Sequence, residues 1–128
     1  MNSKILLIAG DPNSVNSEII FKTWKEINPS IKKRLYVIGN FLLINSQFKK
    51  LKFKISIVKV NNLDESSDAK TLKIIDIPLK FKNPFNVSLI NSKKYITKCF
   101  NLAHKLGQNK KVKGLINCPI DKKLYTKQ

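Results

Sequence analysis

A chain of 128 residues with 42% apolar and 26% charged side chains is of single-domain size and can bury a real core, which excludes the low-hydrophobicity, high-charge profile of disorder. Its formal net charge of +17 would ordinarily point to nucleic acid, yet every basic residue except Arg34 is a lysine. The lysines are spread along the chain in pairs such as Lys32-Lys33, Lys49-Lys50 and Lys93-Lys94, so the charge reads as solvated surface and not as a nucleic-acid site built on guanidinium forks.

The longest uninterrupted apolar run, Ile5 to Ala9, is too short to span a bilayer, and no signal peptide is recognisable, so a cytoplasmic location is expected. Cys99 and Cys118 lie far apart and form no CxxC pair, which predicts reduced, mostly buried thiols and neither a disulfide nor a zinc knuckle.

Lys4 to Ala9 reads as a buried strand stopped by Gly10-Asp11-Pro12. From Ser17, the apolar positions Ile19, Ile20, Trp24 and Ile27 recur at helical spacing, with Ser14 or Asn16 as N-cap and Asn28-Pro29 as the stop. Arg34 to Ile38 gives a second strand, Gly39-Asn40 a turn, and Phe41 to Leu51 a second helix whose last lysines suit the negative end of its dipole. Phe53 to Val60 begins with the alternation of a half-buried strand. Asn61 to Lys70 is rich in Asn, Asp and Ser and predicts an exposed connection; its Asp64, Glu65 and Asp68 have no partner base that would make them a catalytic cluster. Leu72 to Ile77 is another strand, Ser88 to Leu106 a long amphipathic helix that Gly107 terminates with Cys99 in its apolar stripe, and Val112 to Ile116 the last strand. Strands alternating with helices predict an α/β three-layer sandwich with a largely parallel sheet and no internal domain boundary.

Ligands of open α/β sheets gather beyond the carboxyl ends of strands. Two loops qualify: Gly10 to Glu18 after the first strand, and Asn117 to Lys122 after the last, where Lys122 offers a charge to phosphate or carboxylate. The candidate cleft-lining residues are Gly10, Asp11, Pro12, Asn117, Pro119 and Lys122. Neither a GxGxxG fingerprint nor a GxxxxGK[ST] loop is present, so a nicotinamide cofactor would not be held in the Rossmann manner. The sole histidine, His104, falls on the long helix as a surface or boundary residue; with two distant cysteines it cannot build a metal site or a triad.

These two loops carry a family resemblance. The segment Ile8 to Ile20 is similar to the opening of 4-hydroxythreonine-4-phosphate dehydrogenases: a strand, a Gly-Asp/Glu-Pro turn, a glycine-containing loop, then a helix starting near a glutamate, here Glu18. Gly114 to Lys122 resembles that family's strand followed by Thr-(Gly/Ala)-Pro-(Ile/Val)-(Asn/His)-Lys, with Asn117 in place of threonine. Ser14, Asn16 and Ser17 replace the loop glycines and the proline after them, removing Cβ-free positions from a ligand-approaching loop.

The resemblance covers essentially the whole chain but well under half of a family-length protein. It implies an amino-terminal fragment, residues 1–128, of a two-domain enzyme with the isocitrate/isopropylmalate dehydrogenase-like fold. It further implies NAD- or NADP-dependent oxidation and decarboxylation of 4-phosphooxy-L-threonine in pyridoxal 5′-phosphate biosynthesis, a divalent metal, a phosphorylated amino-acid substrate and a homodimer when full length. The family's histidine metal ligands lie beyond Gln128, so no catalytic residue, no metal site and no tight cofactor binding are expected of this chain alone. An uncovered apolar sheet edge or helix face, with marginal stability, is expected too. The alternative is a basic α/β binding module for RNA or anionic metabolites, without catalysis.

Overall fold

A computed structural model of the chain describes residues 3–14, 16–63 and 69–118. The elements, in order, are β1 Lys4–Ile8, α1 Asn16–Glu26, α2 Pro29–Arg34, β2 Leu35–Gly39, α3 Phe41–Lys50, β3 Ser56–Val60, β4 Thr71–Asp76, α4 Leu89–Gly107 and β5 Val112–Asn117. The strands form one sheet in the order β3-β4-β2-β1-β5, and every described pairing is parallel.

A parallel sheet is covered on both sides, so its inner strands must be apolar at consecutive positions and not only at alternate ones. This is the pattern of β2, buried at all five positions from Leu35 to Gly39, and of the second half of β1. Leu6, Ile8, Tyr36 and Ile38 point to one face, where Tyr95, Ile96, Cys99 and Ala103 of α4 cover them. Leu7, Val37 and Ile74 point to the other, against Ile20 and Trp24 of α1 and Ile44 and Phe48 of α3. The three layers expected from the alternation of elements are therefore present.

Winding direction decides which helix takes which face. The chain moves outward from β1 through β2 to β3, then back through β4 to β5 on the far side of β1. Right-handed crossovers that run in opposite directions must lie on opposite faces, which separates α1 and α3 from α4. Leu63, in the connection returning from β3 to β4, is buried on the α4 face. That connection is thus not wholly exposed as its composition predicts; Leu63 is an anchor within it, and its carbonyl accepts the Tyr36 hydroxyl at 2.9 Å.

Three local features depart from the sequence expectation. Asn28-Pro29 ends α1 but also starts α2: the Asn28 side chain accepts the Ile31 N–H at 2.9 Å and proline takes the first helical turn, where its missing N–H costs nothing. The strand expected from Phe53 begins only at Ser56, because Phe53 closes α3. Its N–H donates to Phe48 O at 2.8 Å and that of Lys52 to Lys49 O at 3.1 Å, with Lys52 left-handed at φ 61°: the double closure of a Schellman turn, here without glycine. The Phe53 ring then stacks on Phe21 at 4.2 Å, joining α1 to the end of α3. Gly107, finally, does not end α4 as a left-handed cap; it lies within the last turn, and Gln108 caps in the right-handed region.

Lys73 is the buried residue that hydrophobic patterning would least suggest. It is 1% exposed; its ammonium donates to Lys33 O at 3.1 Å at the end of α2 and lies 4.7 Å from the centre of the Tyr36 ring. A cation beside terminal helix carbonyls and an aromatic face is a favourable pairing with both. β5, at the opposite edge of the sheet from β3, is open on both faces at its end, with Leu115 50% and Ile116 48% exposed.

Candidate active-site rim

β1 lies between β2, from which the chain winds one way, and β5, to which it returns from the other. Loops leaving the carboxyl ends of two such strands diverge to opposite faces, and the crevice between them is where open α/β sheets receive ligands. In the register of the β1–β5 pair, Ile8 stands beside Asn117, and the Cys118 N–H donates to Ile8 O at 3.0 Å. The turn beginning at Gly10 and the segment beginning at Asn117 therefore leave the sheet side by side on one rim. Of the sequence candidates, Gly10, Asp11, Pro12 and Asn117 meet there; Pro119 and Lys122 lie outside the described residues.

Gly10 has φ 78°, a conformation that costs an L side chain energy and turns the chain sharply off β1. Asp11, 7% exposed, stabilises the turn by accepting the Asn13 N–H at 2.9 Å, while its carbonyl accepts the Ser14 hydroxyl at 2.9 Å. Ser14 Oγ in turn accepts the Asn16 N–H at 3.2 Å at the start of α1. The Asn16 side-chain amide donates to Ala9 O at 2.7 Å, so both ends of the loop close on each other.

Carboxamides that sequence inspection did not single out hold the neighbouring loops in place. Asn13 is bound to Val87 in both directions, donating to its carbonyl and accepting its N–H, each at 2.7 Å. Gln47 on α3, buried, donates to Pro12 O at 2.9 Å and to Pro84 O at 2.7 Å. Asn40 accepts the Leu43 N–H at 2.8 Å as N-cap of α3 and donates to Ile77 O at 2.8 Å, while its backbone N–H donates to the Tyr95 hydroxyl at 2.8 Å. Their one sequence signal is position: Asn40 directly follows β2 and Asn13 lies in the turn after β1, where a short amide can imitate a backbone group.

This network fills the underside of the Gly10 turn. The space left beneath it, lined by Gly10, Asp11, Asn16, Gln47 and Tyr95 among others, is ≈ 10 Å³, room for about one water. A substrate would have to lie on the outer surface of the rim. The chemistry available there is backbone N–H groups, the exposed Asn117 side chain and the positive end of α1.

Nucleophilic or metal chemistry finds no support in the described residues. Burial pushes the Cys99 thiol up to about 12 and that of Cys118 up to about 11, so both stay protonated at neutral pH and are poor nucleophiles and poor ligands. Burial likewise raises the Tyr95 phenol well above its ordinary value. His104 is exposed on α4, close to the end of the helix that leads away from the rim, and its ring lies 3.4 Å from the Gln108 side-chain amide. Among the described residues no group of three or more His, Cys, Asp or Glu could hold a metal ion. No described helix is long and apolar enough to cross a membrane.

No family model matches the sequence, and no curated protein matches it. Solved structures do. The 4-hydroxythreonine-4-phosphate dehydrogenase of Klebsiella pneumoniae superposes with a TM-score of 0.80 at 20% identity, over 98% of this chain and 39% of its own. That of Burkholderia phymatum gives a TM-score of 0.83 at 20% identity, over 98% of this chain and 38% of its own. At this identity the likeness establishes the fold. The chain spans about two fifths of the length of these proteins.

Proposed function

We propose that this chain is the amino-terminal part of an oxidoreductase of the 4-hydroxythreonine-4-phosphate dehydrogenase type, acting with NAD or NADP on 4-phosphooxy-L-threonine in pyridoxal 5′-phosphate biosynthesis. One observation carries the reading: the superposition on such dehydrogenases takes in 98% of the chain, and the two segments whose sequence resembles theirs leave adjacent strands on one rim. A chance fold match would not require the two sequence matches to converge.

In this reading the rim supplies one wall of the substrate cleft. The Gly10 turn and the start of α1 face an anionic group with backbone N–H donors and a positive helix end. A nicotinamide, when bound, would supply the hydride acceptor for oxidation of the alcohol carbon, whose hydroxyl proton is released; the β-keto acid so formed would lose its carboxylate as carbon dioxide, with a proton taken up at the α carbon. A divalent metal would supply polarisation of the alcohol oxygen. No group of the described residues fits a metal, so its ligands would come from outside them, as would the second cleft wall and a homodimer contact.

The test is NADH formation from 4-phosphooxy-L-threonine by this chain combined with the polypeptide encoded downstream of it, if that carries a GHTE-like segment and two further separated histidines. Turnover by the combination and none by either part supports the proposal; a combination that folds, binds metal and leaves the substrate untouched overturns it. A basic binding module would instead retain RNA in the isolated chain with an affinity that falls steeply with salt.

A further inference from the structure

Beside the Gly10 rim, with Tyr95 lining the space under both, an open groove of ≈ 270 Å³ runs between α4 and the segment that follows β4. Its size approaches the lower end of ligand clefts, roughly 300 Å³. Lys80 forms one side; Asn91, Lys94 and Lys98 form the other, and Tyr95 the floor. The positions 91, 94 and 98 share a helix face by their spacing of three and four. The walls are tied together, since the Asn91 side-chain amide donates to Lys80 O at 3.2 Å, and the floor is fixed by the bond between Tyr95 and the Asn40 N–H.

Among the described residues, no carboxylate lines this groove. The nearest acidic residue along the chain, Asp76, has Oδ1 engaged by the Phe41 N–H at 2.8 Å. Lys94 and Lys98 are like charges one helical turn apart, an arrangement that opposes helix formation, and Lys80 adds a third positive charge across the groove. Here three converge on a concavity, where a small anion can meet all of them and relieve their mutual repulsion.

We infer that this groove binds a compact polyanion of phosphoryl or pyrophosphoryl type through Lys80, Lys94 and Lys98, with Asn91 as a neutral donor. The groove is lined by no described residue of the Gly10 turn or of the Asn117 segment, and its test does not depend on the dehydrogenase reading. Inorganic pyrophosphate is titrated at low salt into the 128-residue chain, into a variant carrying Lys80→Gln, Lys94→Gln and Lys98→Gln, and into a control carrying Lys49→Gln, Lys50→Gln and Lys54→Gln. The two variants lose the same charge, so the control measures the general attraction of a strongly basic surface. The groove variant is expected to bind about tenfold more weakly than the control, and pyrophosphate to raise the unfolding temperature of the control but not of the groove variant. Equal weakening in both variants, or no pyrophosphate binding by the unsubstituted chain, overturns the inference. A nucleoside diphosphate titrated in parallel separates the sources: equal affinity assigns the groove to the anionic group alone, and tighter binding assigns it to an organic phosphate.

Discussion

Gly39→Ala is expected to lower the stability of the chain by about 2–3 kcal/mol, the upper part of the range for overpacking a tight interior. The reason is space. A Cβ at Gly39 would meet Ala9 Cβ at 2.9 Å, the Tyr95 hydroxyl at 2.9 Å and Ile44 Cδ1 at 3.0 Å. Ala9 Cβ is fixed to the β1 backbone and the Tyr95 oxygen is held by the Asn40 N–H, so two of the three neighbours cannot retreat without breaking something else. The contact thus joins β2 to both helical layers at the rim. Gly107→Ala is the matched comparison: nothing lies within 4 Å of its Cβ position, and its φ is not left-handed. There the substitution should stabilise by roughly 0.5–1 kcal/mol through reduced freedom of the unfolded chain and better helix propensity. Urea unfolding of both variants checks the pair, and a Gly39→Ala midpoint equal to that of the unsubstituted chain would refute the packing argument.

Asn40→Ala should cost about 3 kcal/mol, combining loss of a helix N-cap with a buried carbonyl left without its donor. The side chain performs both tasks at once, capping α3 at Leu43 and holding Ile77 after β4, and it is 5% exposed, so water cannot take over. Asn40→Asp separates the two. An aspartate can still accept the Leu43 N–H, but it sets a second acceptor against Ile77 O, so it should recover part of the capping energy and none of the link to β4. Denaturant midpoints read the totals, and amide hydrogen exchange at Leu43 reads the capping part. Protection kept at Leu43 in Asn40→Asp, with a midpoint still below that of the unsubstituted chain, is the expected signature; unchanged midpoints and protection in every variant would show that Asn40 carries neither load.

Much of this fold is written locally. Runs such as Ile5 to Ala9, and the helical stripe of Tyr95, Ile96, Cys99 and Ala103, announce a two-sided sheet and the helix that covers it because their periodicities differ. The order of the strands is not local, and neither is the switch point between β1 and β5; both depend on which way each crossover winds, which no window of sequence contains. The candidate rim was legible because strand ends followed by Gly10-Asp11-Pro12 and Asn117-Cys118 can be read one at a time. Their adjacency could not be read so, and the shared register of Ile8 and Asn117 supplies it.

The supporting carboxamides were less visible still. Asn13, Asn40 and Gln47 resemble ordinary loop and surface residues until the carbonyls they serve, on segments 35 or more positions away, are known. Lys52 in a left-handed turn and the burial of Lys73 are similar cases: each breaks a local rule, and each is explained by a partner brought in by the tertiary fold, Phe53 on Phe21 for one and the end of α2 for the other.

The proposed dehydrogenase function requires the Gly10 turn and the Asn117 segment to form a single substrate-facing rim. Titrating 4-phosphooxy-L-threonine into isotopically labelled chain, and following the backbone amides by NMR, tests this most directly. Shifts concentrated at Gly10, Asp11, Asn13, Asn117 and Cys118 are the expected result. Shifts at the other end of the sheet, around Lys4, Leu35 and Lys111, or spread evenly over the lysine-bearing surface, would contradict it.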